Sequence, residues 1–246
     1  MLFYAFLIHP YLLYNVSKLI LDVNENGYTL QLYLHNRIHC SSRTWKLTAT
    51  KIAASEPFNG TMNGIKLYGI WRSQIGLPRD TLTVISLWPN AELANKTTEE
   101  LFRGIRTIDS IEKDFMVPTV RPTSDKLPMK QGNYAFRWFE TPKQNFDEFI
   151  KLCVEAWPDF EENYDSEIIG LWKLNRDANA NKNTSTLLLT RRPNLAVWER
   201  SKIPVTDEEK EVRRKLSKRY DLCDWTTVYT TTLLTANDIS DDVRWS

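Results

Sequence analysis

The sequence predicts an α+β fold in which one β-α-β-β-α-β unit is written twice and the two copies close into a single barrel. Three observations predict it. Sliding the 246-residue chain along itself by 101 residues places Tyr33 on Tyr134, Pro57 on Pro158, Gly69 on Gly170 and Trp71 on Trp172. After a three-residue shift of register, Pro89-Asn90 meets Pro193-Asn194. Ordered matches at a nearly fixed offset are the mark of an internal repeat. The second observation is that strands and helices follow the same order in both copies. The third is that the first strand of each copy alternates, so that its two faces carry different kinds of residue.

In the first copy, Tyr28–Ile38 reads as strand one and Ser42–Ala54 as a helix, followed by strands at Lys66–Ser73 and Thr81–Trp88. Thr97, with Glu100 three residues on, has the spacing of a capping box, so a helix is expected over Thr97–Asp109. Phe115–Arg121 closes the unit. Arg121–Pro128 follows, two prolines among polar residues, and reads as the linker.

The second copy carries stronger signals. Asn133–Glu140 alternates and is rich in Tyr, Phe and Trp, which marks a strand. Thr141-Pro142 opens a helix whose Phe146, Phe149, Ile150 and Val154 fall at helical spacing, and Pro158 is expected to stop it. Strands are expected at Ile168–Leu174 and Thr184–Arg192, joined by an Asn-rich loop over Asn175–Asn183. Thr206-Asp-Glu-Glu starts a charged helix running through Tyr220, its cap and acidic first turn in the favoured place. Asp224–Leu234, dense in Thr, Val and Tyr, closes the unit. The expected division is an N-terminal extension over 1–27, repeats over 28–122 and 131–235, and a tail over 236–246. Met1–Tyr14 is almost wholly apolar, yet no basic segment precedes it and Pro10 interrupts it, so it reads as a strand or a cover segment for the core. Asn24–Gly27 ends in Asn-Gly between two strand-like runs, Lys18–Val23 and Tyr28–Ile38, and predicts an N-terminal hairpin.

Composition narrows the function. Lys and Arg number 32 against 31 Asp and Glu, leaving a net charge of +1 and no electrostatic reason to expect a nucleic-acid partner. Only 8 residues are Gly, and no phosphate-cradling G-x-G-x-x-G or Walker pattern is present. Cys40, Cys153 and Cys223 are odd in number and far apart, which points to reduced thiols in a cytoplasmic protein rather than a disulfide framework or zinc site. No transmembrane segment is expected.

Gly69-Ile-Trp71-Arg-Ser-Gln-Ile-Gly76, followed by an apolar strand ending in Leu87-Trp88-Pro-Asn, resembles the NIPSNAP family within the dimeric α+β barrel superfamily. Gly170-Leu-Trp172-Lys, followed by Thr190-Arg-Arg-Pro-Asn-Leu-Ala-Val-Trp198-Glu-Arg, is similar to a second copy of that pattern. The likeness covers residues 28–235. It implies two ferredoxin-like sheets paired face to face, across a dimer or within a tandem chain. Related barrels, among them antibiotic-biosynthesis monooxygenases and stress-responsive barrel proteins, share the element order.

In such a barrel one strand face points inward. Tyr33, His35, Arg37 and His39 share that face in the first copy, and Tyr134, Phe136, Trp138 and Glu140 are their counterparts. An aromatic lining with a few convergent polar groups is the usual design of a small-ligand site. The alternative is a polar and aromatic interface between the two lobes. His35 and His39 are about 13 Å apart on a strand, too far to share a metal ion, so none is expected. Either His alone offers a general base or an axial haem ligand, which leaves haem open although no cofactor is evident. His35 and Glu140 are the candidate catalytic pair. Trp71, Trp172, Trp88 and Trp198 read as core residues. Arg72 and Lys173 read as solvated or helix-capping, and the Lys210–Arg219 stretch with its interspersed Glu reads as a solvated helix face. Two functions follow: a NIPSNAP-like protein that binds a small apolar ligand or a protein partner, or a small-molecule enzyme of the barrel superfamily, cofactor-independent or haem-using, with its site between the sheets. The chain is expected as a monomer or weak homodimer, because the second copy covers the apolar face that the first leaves open.

Overall fold

In the computed structural model, residues 32–60, 64–175 and 182–240 are described. The apolar start of the chain, the first arm and turn of the expected hairpin, and most of the Asn-rich loop lie outside these residues.

The first half runs β1 (Leu32–Cys40), α1 (Trp45–Ala53), a single helical turn at Glu56–Asn59, β2 (Lys66–Ile75), β3 (Thr81–Trp88), α2 (Ala91–Arg103) and β4 (Ile108–Arg121). The second half runs β5 (Asn133–Pro142), α3 (Phe146–Tyr164), β6 (Glu167–Leu174), β7 (Asn183–Arg192), α4 (Leu195–Arg200), α5 (Asp207–Lys218) and β8 (Trp225–Leu233). Each half has the strand order fourth-first-third-second. β2 then pairs with β8 and β6 with β4, so eight antiparallel strands close into one barrel within a single chain. Closure removes every sheet edge, the feature through which strands otherwise seek outside partners.

Alternation divides the apolar residues between two layers. The inward face of the strands carries Tyr33, Trp71, Ile85, Met116, Tyr134, Phe136, Trp138, Trp172, Leu187, Leu189 and Tyr229, all buried in one cluster that fills the barrel. The outward face of the second half packs Phe139, Ile168, Leu171 and Leu188 on Phe149, Cys153, Trp157 and Phe160 of α3 and on Val212 and Leu216 of α5. The first half repeats this with Ile38, Ile70, Leu82 and Val84 under Trp45, Ala49 and Ile52 of α1 and Phe102 at the end of α2.

Trp71 and Trp172 occupy matching places. Each is fully buried in the barrel and follows a slip in pairing, between Leu67 and Gly69 in one half and between Ile168 and Gly170 in the other. A Cβ on Gly69 would meet the Trp71 ring at 2.5 Å, and one on Gly170 would meet the Trp172 ring at 2.4 Å. The Gly-x-Trp spacing is therefore a packing requirement, since only glycine leaves room for the indole to lie back over its own strand.

Several expectations are corrected. The second helix of the first half starts at Ala91, not Thr97, because Asn90 caps it by accepting from the Leu93 amide at 2.8 Å. Thr98 instead sits mid-helix, its hydroxyl donating to the Ala94 carbonyl at 2.7 Å. Asn194 caps α4 in the same way, accepting from the Val197 amide at 3.0 Å, so the two Pro-Asn pairs are both helix starts. β4 begins at Ile108, well before Phe115. Pro158 does not end α3, which continues to Tyr164. The carbonyl that Pro158 cannot bond belongs to Val154, a residue 45% exposed, where water can satisfy it. That exposure also removes Val154 from the buried stripe, which runs Phe149, Cys153, Ala156, Trp157, Phe160 and Tyr164. Arg72 is not simply solvated, for its guanidinium lies 4.0 Å from the Trp45 ring centroid. Nor is Lys210–Arg219 a wholly solvated face: Val212, Leu216 and Arg219 are buried.

Candidate functional site

The eight inward residues named from the sequence lie along the barrel axis. Tyr33, His35, Tyr134, Phe136 and Trp138 are buried, while Arg37, His39 and Glu140 approach the rim. The buried ones make aromatic layers rather than an open chamber. Phe136 stacks on Tyr229 at 5.1 Å between centroids, and His35 meets the Trp138 ring edge-on at 5.2 Å. His35 Nε2 lies 3.3 Å from the Tyr229 hydroxyl, which is 3.3 Å from Thr83 Oγ1, and His35 Nδ1 is 3.8 Å from Asp114. At the rim, Arg37 donates to Glu112 at 2.7 Å and packs over Tyr229, and His39 reaches the same carboxylate at 3.2 Å. Glu140 accepts from the Ser185 hydroxyl at 2.8 and 2.7 Å. His35 and Glu140, the candidate catalytic pair, thus each have their own partners.

A second constellation lies outside the barrel, between the outward face of the second half and its helices. Arg137 on β5 and Arg192 on β7 alternate with inward residues and so point at the helical layer. Arg213 and Tyr220 flank the inner side of α5 and of the turn that follows it, Arg219 sits at the C-terminal end of α5, and Lys202 hangs from the α4–α5 connection. Together with Ala135, Trp157, Phe160, Ile168, Leu188, Thr190, Ser201 and Leu216 they line a cleft of about 30 Å³. Arg192 and Arg219 are 7% and 5% exposed. None of the described lining residues is a carboxylate.

Burial and charge set the chemistry of this cleft. Burial alone would push the Tyr220 phenol up, but Arg219, Arg137 and Lys202 outweigh it and bring it down to about 7. Burial lowers the Arg192 guanidinium to about 9 and the Lys202 amine to about 8, and the neighbouring cations add to both effects. Arg219 goes the other way: burial lowers it, yet the Cys153 thiol and Tyr220 hold it protonated. Its place at a helix C-terminus, where the backbone dipole is negative, favours the cation further. Arg219 lies 5.3 Å from the ring centroid of Tyr220, and Arg137 lies 5.5 Å from it.

A haem needs an axial donor facing a space wide enough for the macrocycle. Among the described residues, His35 is enclosed by aromatic rings, His39 is engaged with Glu112, and the cleft contains no His. Neither of these two histidines is placed as an axial haem donor. No three His, Cys, Asp or Glu side chains among the described residues converge as metal ligands, and no helix there is long and apolar enough to cross a membrane.

The sequence reading missed the cleft because its cations are scattered over two strands, a connection and a helix. One signal was present: Arg213, Leu216 and Tyr220 recur at i, i+3 and i+7, the spacing of a single helix face.

No family profile and no curated protein sequence matches the chain. Solved structures do match in shape. An anthrone oxidase-like protein superposes with a TM-score of 0.60 at 12% identity, over 85% of this chain and 95% of its own. A monooxygenase-type protein from Lactobacillus acidophilus gives 0.53 at 10%, over 83% and 94%. A chlorite dismutase variant from Candidatus Nitrospira defluvii gives 0.56 at 7%, over 87% and 93%. At these identities the likeness is one of fold, that of the dimeric α+β barrel. The comparisons support the barrel fold and do not bear out the NIPSNAP family.

Proposed function

We propose that this chain is an enzyme for a small acidic organic molecule and that its site is the cation-lined cleft of the second half. The observation that carries the reading is the placement of Tyr220, its ring 5.3 Å from the Arg219 guanidinium and 5.5 Å from that of Arg137, cations that bring its phenol down to about 7. A base poised near the working pH is the most effective proton acceptor. The Tyr220 phenolate takes a proton from an activated C–H or a phenolic O–H and becomes a phenol. The electron pair left on the substrate is held against the guanidinium groups, which stabilise a developing anion without reorganising.

The monooxygenase and anthrone oxidase-like neighbours suggest dioxygen as the oxidant. The carbanion carbon would bond to oxygen to give a hydroperoxide, whose loss of water leaves a carbonyl, so that one CH₂ and one O₂ become C=O and H₂O. A substrate of several rings exceeds the resting cleft, so the reading requires the α4–α5 connection, which contributes Ser201 and Lys202 to the lining, to move outward.

Oxygen uptake by the full chain, with anthrones and polyhydroxylated aromatic acids as substrates, tests the reading. Uptake that falls at least 100-fold in Tyr220→Phe supports it, and uptake that is unchanged in that variant overturns it. The packed barrel interior favours a second reading, a protein that acts by binding. That reading gains if the same compounds are retained without turnover.

A further inference from the structure

More positive charge is gathered in the cleft than one tyrosinate can balance. Arg219 is matched by Tyr220 and touches the Cys153 thiol at 3.6 Å, which leaves Arg137, Arg192, Lys202 and Arg213 without a carboxylate among the described lining residues. Aromatic faces take up part of this charge. Arg192 lies 5.1 Å from the Phe160 centroid and Lys202 lies 5.7 Å from that of Trp198. A ring face carries no net charge, however, and a buried cation without a counter-charge is strongly disfavoured.

The hydrogen-bond pattern is equally one-sided. Arg192 Nη1 donates to Thr190 at 2.9 Å, but Arg192 Nε, Arg219 Nε and Trp157 Nε1 are buried and have no acceptor among the described residues. Buried donors are normally satisfied, and orphaned donors on residues that line one cleft favour an occupant made of acceptors. The resting cleft, about 30 Å³, has room for roughly two waters, so an oxyanion seats there only as the α4–α5 connection moves outward.

We infer that the cleft is a receptor for a small oxyanion bearing more than one negative charge, a phosphate or a pair of carboxylates, free or as the head of an organic substrate. This deepens the enzyme reading, since it places a second recognition element beside Tyr220 in the same site. Arg192, the most enclosed of the unmatched cations, is its central residue. Arg137 and Lys202 approach from the sheet and from the connection, and Arg213 closes the outer side.

Calorimetric titration of the full chain with inorganic phosphate, and separately with malonate, at fixed ionic strength tests the inference. The expected result is one site per chain for at least one anion, weakened 10-fold or more by Arg192→Gln, with the unliganded variant melting above the unliganded parent because a buried repulsion is gone. Tighter binding of phosphate assigns a phosphate head, and tighter binding of malonate assigns carboxylates. If Arg192→Gln does not fold, Arg213→Gln at a half-buried position carries the same test. Neither anion binding more tightly than chloride, or binding unaffected by the substitution, overturns the inference. Anion binding with no turnover of any tested substrate keeps it and removes the enzyme reading. Turnover with no anion binding does the reverse.

Discussion

The indole of Trp172 lies over the backbone of Gly170 so closely that a Cβ there would stand 2.4 Å from the ring. Trp71 and Gly69 repeat the relation in the other half. Gly170→Ala and Gly69→Ala are therefore each expected to destabilise the fold by about 2–3 kcal/mol, because a buried, tightly packed indole cannot move aside. Gly104→Ala is the internal control. It lies in the right-handed helical region with its nearest neighbour at 3.4 Å, and its effect should stay within about 0.5 kcal/mol. Chemical denaturation of the three variants checks this.

Asn90 and Asn194 each cap a helix through the amide three residues on. Replacement of Asn90 by Ala should cost about 1 kcal/mol in global stability. The same change at Asn194 should loosen α4 locally, seen as faster amide exchange at Val197 with little change in the denaturation midpoint.

The Tyr229 hydroxyl lies within 3.3 Å of both His35 Nε2 and Thr83 Oγ1 inside the barrel. Tyr229→Phe keeps the stacking on Phe136 but removes the hydroxyl that two buried polar groups share, and a loss of about 1–3 kcal/mol is expected in the same denaturation assay.

These elements show what a sequence discloses. The strand faces were legible because alternation is local: Tyr33, Tyr134, Phe136 and Trp138 all lie inside the barrel. The α2 start was misplaced because Thr97 with Glu100 matches a capping box while Pro89-Asn90 also marks a repeat, and only the backbone at Asn90, extended at φ −160°, decides between them. Pro158 was read as a stop because its cost depends on whether the carbonyl it frees meets water, which is a tertiary fact. The cleft was hardest, since its five cations come from four separate segments. Nothing near Arg137 in the chain reveals that Arg192, Lys202, Arg213 and Arg219 face the same space.

Stability should rise with pH between 7 and 9. Tyr220 is lowered to about 7, so over this range the unfolded chain holds a proton on it that the folded chain has released, and higher pH favours folding. Lys202, lowered to about 8, adds to the rise from pH 8 upward with the same sign, and Arg192 joins it near 9. Above pH 9 the Cys40 thiol, pushed up to about 11 by burial, works against them. The Tyr220 share is on the order of 2 kcal/mol across the window. Denaturation at pH 7 and pH 8.5 should show the rise in the parent and a much smaller one in Tyr220→Phe.

Tyr220 stands at the centre of this mechanism, its phenol brought down to about 7 in a cleft built of cations. Ultraviolet difference titration reads this directly, by subtracting the phenolate absorbance of Tyr220→Phe from that of the parent between pH 5 and 9. The expected difference is one tyrosine ionising near pH 7, well below the usual range near 10 and apart from Tyr33, Tyr68 and Tyr134, which burial raises. A parent and variant that superimpose up to pH 9 would contradict the account, for Tyr220 would then be a neutral phenol with no role as a base.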